Sequence, residues 1–188
     1  PKLSKNRMWG HYRVKAYPNI FLDGGFSQII GGAATQKQFE QIYRPLIEEA
    51  GAQVVNPLVV TTNVTGHGNA KLDITVTVKN TGSKPYLGYV RSYVTEIISR
   101  WIDQSGHPLH FGFLDYAIKK VVFLQPQKSQ TYTMTWDGAA QHGNLTFPDI
   151  VDNNIMVITA VANWQPHLVA AQISEFNEHF AFYVDQTV

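Results

Sequence analysis

Leu72-Asp73-Ile74-Thr75-Val76-Thr77-Val78-Lys79-Asn80-Thr81-Gly82-Ser83-Lys84-Pro85 is the stretch whose reading decides the fold. Leu72, Ile74, Val76 and Val78 alternate with Asp73, Thr75, Thr77 and Lys79. A period of two marks a strand with one face buried and the other in water. Asn80-Thr81-Gly82-Ser83 supplies the turn that ends it. The same pattern recurs on both sides. Leu58 to Thr62 predicts the preceding strand. Tyr86 to Trp101 predicts a long one, with Tyr89, Tyr93 and Ile97 on one face, Val90, Val94 and Ile98 on the other, and both faces partly covered. Ala117 to Leu124 is another, ended by Gln125-Pro126. Tyr132, Met134 and Trp136 alternate with threonines, which puts Trp136 in the core. Ile155 to Trp164 is almost wholly apolar and so central, and Phe180 to Val184 closes the chain. Strands separated by turns at this spacing predict an antiparallel β-sandwich over residues 52–188.

Residues 1–51 are organised differently. Ile20-Phe21-Leu22, the turn Asp23-Gly24-Gly25 and the run Phe26 to Ile30, closed by Gly31-Gly32, predict a β-hairpin. One helix follows. Thr35 is a fitting N-cap with Gln38 three residues on, a capping-box pattern. Phe39, Ile42, Tyr43, Leu46, Ile47 and Ala50 fall on one helical face, and Gly51 is a natural stop. Pro45 removes one backbone bond and should kink the helix. A two-stranded hairpin with one helix is marginally stable alone, so this unit is expected to pack against the sandwich or against another subunit.

Residues 12–50 resemble the C-terminal half of a thioredoxin-like domain. The resemblance is carried by Tyr12-Arg13-Val14-Lys15-Ala16-Tyr17-Pro18-Asn19-Ile20-Phe21-Leu22-Asp23-Gly24-Gly25, by Gly31-Gly32-Ala33 and by the helix from Thr35. It implies a cis-proline at Pro18. The active site of that family is a Cys-x-x-Cys at the start of its first helix, with a low-pKa thiolate that attacks disulfides. This chain has no cysteine and lacks the strand-helix-strand half that would carry the pair. Residues 52–188 resemble immunoglobulin- or fibronectin-type sandwiches through Leu72 to Pro85 and Leu124 to Trp136. The combination resembles the secreted Omp28-related outer membrane proteins and similar surface proteins. The expected fold is therefore mainly β: an antiparallel immunoglobulin-like sandwich at 52–188, preceded by a partial thioredoxin-like hairpin plus helix at 1–51.

Composition narrows the function. Of 188 residues, 44% are hydrophobic and 12% aromatic, enough for a sizeable core, while 15% are charged against the usual quarter or so. Lys plus Arg number 15 and Asp plus Glu 14, so no basic footprint for nucleic acid or an anionic membrane exists. Zero cysteine excludes disulfides, thiolate metal sites and cysteine nucleophiles within the chain. No run of 18 apolar residues predicts a transmembrane helix. The start at Pro1-Lys2-Leu3 has neither Met nor an apolar leader, which suggests a processed or clipped product. Low charge with many Thr, Gln, Asn and Tyr residues points to an extracellular, cell-surface or periplasmic setting.

No catalytic residue is expected. There is no Gly-x-Ser-x-Gly elbow, Glu48-Glu49 suits a solvated helix end, and Glu96 beside Arg100 suits an ion pair. The Gly24-Gly25, Gly31-Gly32 and Gly66-His67-Gly68 clusters lack phosphate-loop spacing. The densest polar and aromatic cluster runs from Trp101 to Tyr116. It reads as a long loop, with Trp101, His107, His110, Phe111, Phe113 and Tyr116 as a contact surface, since aromatic residues are favoured at interfaces. No metal or other cofactor is expected; His107, His110, Asp103 and Asp115 are the residues that would hold an ion, and His-x-x-His alone does not define a site. Asn63 and Asn144 head sequons for glycosylation. Trp9, Trp101, Trp136 and Trp164 are the candidates for stacking on carbohydrate. The expected role is a non-catalytic extracellular structural or interaction protein, a subunit of a larger homo- or hetero-assembly with protein partners. The alternatives are a fragment of a secreted thiol-disulfide oxidoreductase and a carbohydrate-binding module.

Overall fold

A computed structural model describes residues 14–164, 168–173 and 175–176. Trp9, Tyr12, Arg13 and the strand expected at 180–184 lie outside the described residues. The chain is mainly β, with antiparallel sheets and, among the described residues, one α-helix.

The sandwich is built around Leu72 to Pro85. Strand β4 (Lys71–Asn80) pairs antiparallel with β3 (Leu58–Gly66) on one side and β7 (Ser129–Asp137) on the other. A short strand, β10 (Glu175–Phe176), adds parallel to β3, giving the order β10-β3-β4-β7. The second sheet has the order β6-β5-β8-β9, from β5 (Tyr86–Ile102), β6 (Pro108–Leu124), β8 (Ile155–Asn163) and β9 (Leu168–Ile173). Leu72, Ile74, Val76 and Val78 of β4 face Val90 and Val94 of β5, Val122 of β6 and Val157 and Val161 of β8 in one core. Each such side chain contributes about 1.5–3 kcal/mol on burial. Trp136 and Phe147 fill the end of the core. The Thr62 hydroxyl donates to Thr159 (2.8 Å), which shares a second bond with Ser92 (2.9 Å). This buried chain of hydroxyls ties β3 to β8 and β5 and leaves none of the three unsatisfied.

Two sequence expectations change here. The segment from Trp101 to Tyr116 is not a long loop. It is the distal part of a β5–β6 hairpin closed by a tight turn, where Asp103 N donates to His107 O (2.8 Å) and the Asp103 carboxylate accepts from Ser105 N and His107 N. Ile98 does not share the buried face of Val90 and Val94; it is exposed. Residues 92–96 are buried without a break, and β5 pairs with β8 in unshifted register from Gly88 to Glu96. The register shifts at Ser92/Tyr93 and Val94/Thr95 leave Ala117 and Leu114 of β6 as the extra residues, so they reset the facing of β6, whereas the alternation of β5 changes where its pairing with β8 ends, at Glu96.

Before the sandwich, β1 (Asn19–Leu22) and β2 (Ser27–Ile30) form an antiparallel hairpin. The Tyr17–Pro18 peptide is cis. Helix α1 (Gln36–Gly51) begins where Thr35 Oγ1 accepts from Gln38 N (3.3 Å). The Gln38 side chain accepts from Ala34 N (3.2 Å), one residue short of the reciprocal capping-box partner. The helix runs through Pro45 and packs on β1. Its C-terminus is tied to the hairpin turn by Gln53, which donates to Asp23 (2.7 Å). None of its residues is buried.

Candidate interaction surfaces

The β5–β6 hairpin extends past the sheet. Pairing of β5 with β8 ends at Glu96–Ile155, whereas its pairing with β6 continues to Ile102–Pro108. Beyond Glu96 the inner edge of β5 is closed by side chains. The Asn154 amide accepts from Ile98 N (2.9 Å) and donates to Ile98 O (3.0 Å), copying a strand partner. The Glu96 carboxylate accepts from Arg100 N (2.7 Å) and from the Arg100 guanidinium (3.2 Å), and Arg100 also reaches Asp149 (3.1 Å). The expected Glu96–Arg100 pair thus also closes an edge that would otherwise invite another strand. At Gly112 a Cβ would collide with Ser99 and Trp101, which explains glycine in that strand.

The expected contact residues divide along this hairpin. Trp101 is half-buried and packs on the core. His107 is exposed at the turn, its ring 3.7 Å from the Asp103 carboxylate. His110 and Phe111 are exposed, and Phe111 adopts a left-handed backbone (φ 54°). Phe113 and Tyr116 are half-buried in a cluster with Tyr93, with ring centroids 5.0–6.1 Å apart. Asp115 points elsewhere: its carboxylate meets His142 Nδ1 at 2.6 Å. His107, His110 and Asp115 therefore do not converge, and no group of three His, Asp or Glu side chains among the described residues is arranged to hold a metal ion.

Sequence reading passed over His142. Its ring stacks against both Trp136 (4.9 Å) and Phe147 (5.6 Å), which also meet each other at 6.4 Å. Nε2 meets the carbonyl of Asp137 at 2.8 Å. Both polar partners are oxygen atoms, one from a carboxylate and one from the backbone. Arg100 lies over the Phe147 ring at 5.1 Å. The segment 138–150 is thereby pinned across the end of the core, where Phe147 and Ile150 are buried. No local pattern marks His142, because its partners come from β6 and β7 and are brought together only by the fold.

The outer face of the second sheet is the other site that sequence reading missed. Leu87 stands opposite Phe123, and Tyr89 lies between Val121 and Ala162. Trp164 stacks on Tyr89 (5.1 Å, 17° between planes). In the next row Arg91 stands opposite Lys119, with Arg91 over Tyr89 (5.4 Å) and Lys119 over Tyr116 (5.5 Å). Of the tryptophans considered for stacking, Trp164 is exposed, Trp136 is in the core and Trp101 is half-buried. Tyr86 turns inward; burial raises its phenol well above the ordinary value while its hydroxyl donates to Ala162 O (2.7 Å). Val121 and Phe123 sit in an unbroken apolar run, where alternation cannot distinguish a core face from an uncovered one.

Both sequon asparagines are exposed, Asn63 within β3 and Asn144 in the turn between His142 and Leu145. No described helix is long and apolar enough to cross a membrane.

No family model and no curated protein matches the chain. Solved structures do. HBP35 of Porphyromonas gingivalis superposes with a TM-score of 0.54 at 13% identity, over 78% of this chain and 49% of that one. The chain thus spans about half the length of that protein. β-Glucosidase 3B from Thermotoga neapolitana in complex with glucose matches with a TM-score of 0.36 at 12% identity, over 63% of this chain and 15% of that one. Pseudomonas fluorescens alkylpurine DNA glycosylase AlkC, bound to DNA containing an abasic site analog, matches at 0.40 and 12%, over 74% and 38%. The last two carry no argument. The likeness to HBP35 is one of fold alone, and function is argued from this chain's own residues.

Proposed function

We propose that this chain is a non-catalytic extracellular structural or interaction protein, one subunit of a larger assembly. It consists of a hairpin-helix unit at 1–51 and an immunoglobulin-like sandwich at 52–188. The strand order supports the immunoglobulin plan. β3, β4 and β7 correspond to strands A, B and E of one sheet, and β5, β8 and β9 to C, F and G of the other, with β6 added beside C. The observation that carries the functional reading is α1. It has an amphipathic sequence and a formed N-cap, yet not one buried residue. A helix of this kind draws most of its stability from packing its apolar face, so its natural state includes something laid against it. Low charge fits, because interface cores are depleted in charged residues. The test is sedimentation of the purified chain across a wide concentration range. The expected result is a mass above that of the monomer, rising with concentration; a monodisperse monomer throughout would remove the reading.

A second reading has its own support. α1 packs on a two-stranded hairpin whose β1 pairs only with β2 among the described residues, which is half of an α/β layer. That suits a fragment of a secreted thiol-disulfide oxidoreductase, with the Cys-x-x-Cys half encoded upstream of Pro1. Sequencing the gene upstream decides it: a strand-helix-strand segment with that motif supports the second reading, and a leader ending just before Pro1 removes it.

A further inference from the structure

The link between α1 and the sandwich is fixed at both ends and free in between. At one end the Gln53 side chain donates to Asp23 (2.7 Å) and to Ala50 O (3.3 Å), which ties it to the hairpin and the helix. At the other, Pro57 O accepts from Thr81 N (2.9 Å) and from the Thr81 hydroxyl (2.8 Å), which ties it to the turn after β4. Between these anchors, Val54, Val55 and Asn56 hydrogen-bond to no other described residue, and no helix or strand includes them. Val54 is 101% exposed and Val55 44%. Two β-branched side chains and a residue before proline favour extended backbone. α1, β1 and β2 make no extended contact with any described strand of the sandwich. An exposed link crossed by few contacts is where a folded chain is nicked. The other exposed valines among the described residues are held. Val59 and Val121 lie in the paired strands β3 and β6. Val151 O accepts from Asn154 N (2.9 Å), its neighbour Ile150 is buried, and its neighbour Asp152 accepts from Gly68 N (2.9 Å).

We propose that residues 54–56 are a processing site, cut after valine by an elastase-type endopeptidase, and that the cut releases the sandwich from the hairpin-helix unit. An elastase has a small pocket for the side chain before the scissile bond, which suits valine. Hydrolysis breaks the bond between the Val54 carbonyl carbon and Val55 N. The oxygen of a water molecule joins that carbon, and a proton goes to the Val55 amine that leaves. A peptidase groove takes more than three residues in extended form. The last turn of α1 supplies the rest by fraying, because a helix end opens more readily than a sheet. The proposal rests on the extracellular reading, which brings the chain to such enzymes, and on nothing in the assembly.

The experiment is limited digestion of the full folded chain with an elastase that cuts after valine, followed over time by intact mass and N-terminal sequencing. Within residues 14–164 the first cut is expected in the link, leaving a large fragment that begins at Val55 or Asn56. The two fragments should part on size exclusion, and the large one should keep the thermal transition of the uncut sandwich. A variant carrying Val54→Asp and Val55→Asp puts charge in place of both aliphatic side chains at exposed positions. It should unfold at the wild-type temperature and stay whole while wild type is cut completely. A first cut elsewhere within 14–164, equal cutting of the variant, or fragments that stay together would each overturn the proposal. These outcomes bear on the link alone, whereas sedimentation of the uncut chain bears on assembly, so either can fail without the other.

Discussion

Strand β4 and helix α1 are both amphipathic by sequence, and their apolar residues meet different ends. Leu72, Ile74, Val76 and Val78 of β4 are 0–1% exposed. Phe39, Ile42 and Ile47 of α1 are 39%, 43% and 53% exposed. The strand finds its cover within the described chain because the second sheet folds over it. The helix has a hairpin beside it and, among the described residues, nothing comparable across its other side. Periodicity therefore states which side chains share a face, and says nothing about whether the cover for that face lies in the same chain.

The largest expected effect tests the covered side of this comparison. Trp136 has a fully buried side chain and packs against Leu72 and Phe147 within the core. Trp136→Ala should cost about 3–5 kcal/mol, measured by urea unfolding followed on the sandwich. Trp136→Phe should cost less, since the indole N–H has no partner among the described residues. If Ile42→Ala costs as much as Trp136→Ala in the isolated monomer, the contrast between the two regions fails.

Next comes the tie between Asp115 and His142, at the end of the core. Asp115→Ala leaves a ring nitrogen of a buried histidine without its partner. Removing one side of such a pair costs about 2–3 kcal/mol. Thermal unfolding should show the loss, and amide exchange should show it concentrated in residues 138–150. A loss spread evenly over the sandwich would mean that segment 138–150 is not held mainly by this pair.

How much could be read beforehand follows the same division. The ends of β4 and β5 were legible to within a residue or so, because turn chemistry at Asn80–Pro85 brackets them. The α1 cap at Thr35 was legible for the same local reason. The distal hairpin was misread as a loop because Gly106, Pro108 and Gly112 punctuate it and because the bulges break its period of two. The outer-face patch escaped because Val121 and Phe123 belong to an apolar run that looks like core from either side. His142 escaped because its partners are assembled by tertiary structure alone. Local rules find elements and caps; a site gathered from β6, β7 and the segment that follows β7 has no local signature.

A smaller effect probes the helix side. Thr35→Ala removes the acceptor for Gln38 N and should weaken α1 by about 1 kcal/mol. Hydrogen exchange should quicken at the first-turn amides of α1 while the β4 and β5 amides keep their protection. Equal quickening in both would show that hairpin-helix unit and sandwich open together, and that the helix is supported by the sandwich after all.

The smallest effect concerns surface electrostatics. Asp73, on the solvent side of β4, accepts from the Thr135 hydroxyl (2.6 Å) and meets His67 Nε2 at 2.7 Å. These two contacts, the Thr135 bond foremost, hold its carboxyl below the ordinary aspartate value. A carboxylate whose folded pKa is depressed adds stability that is fully present above its unfolded value and is lost as pH falls through the folded one. Asp73→Asn should therefore be slightly less stable than wild type above the ordinary carboxylate range, and the difference should vanish in stronger acid. The group is exposed, so the gap is small and shrinks with added salt. Glu40 and Arg44 on α1 are equally exposed, but they neighbour each other on a single element, whereas the Asp73–Thr135 bond joins β4 to β7. A tie between strands is lost when the sandwich unfolds as a whole, while a tie within one helix is lost whenever that helix frays. The Asp73 effect should appear in global unfolding and a Glu40→Gln effect only in local exchange. If both appear in the same transition, the two regions fold as one unit.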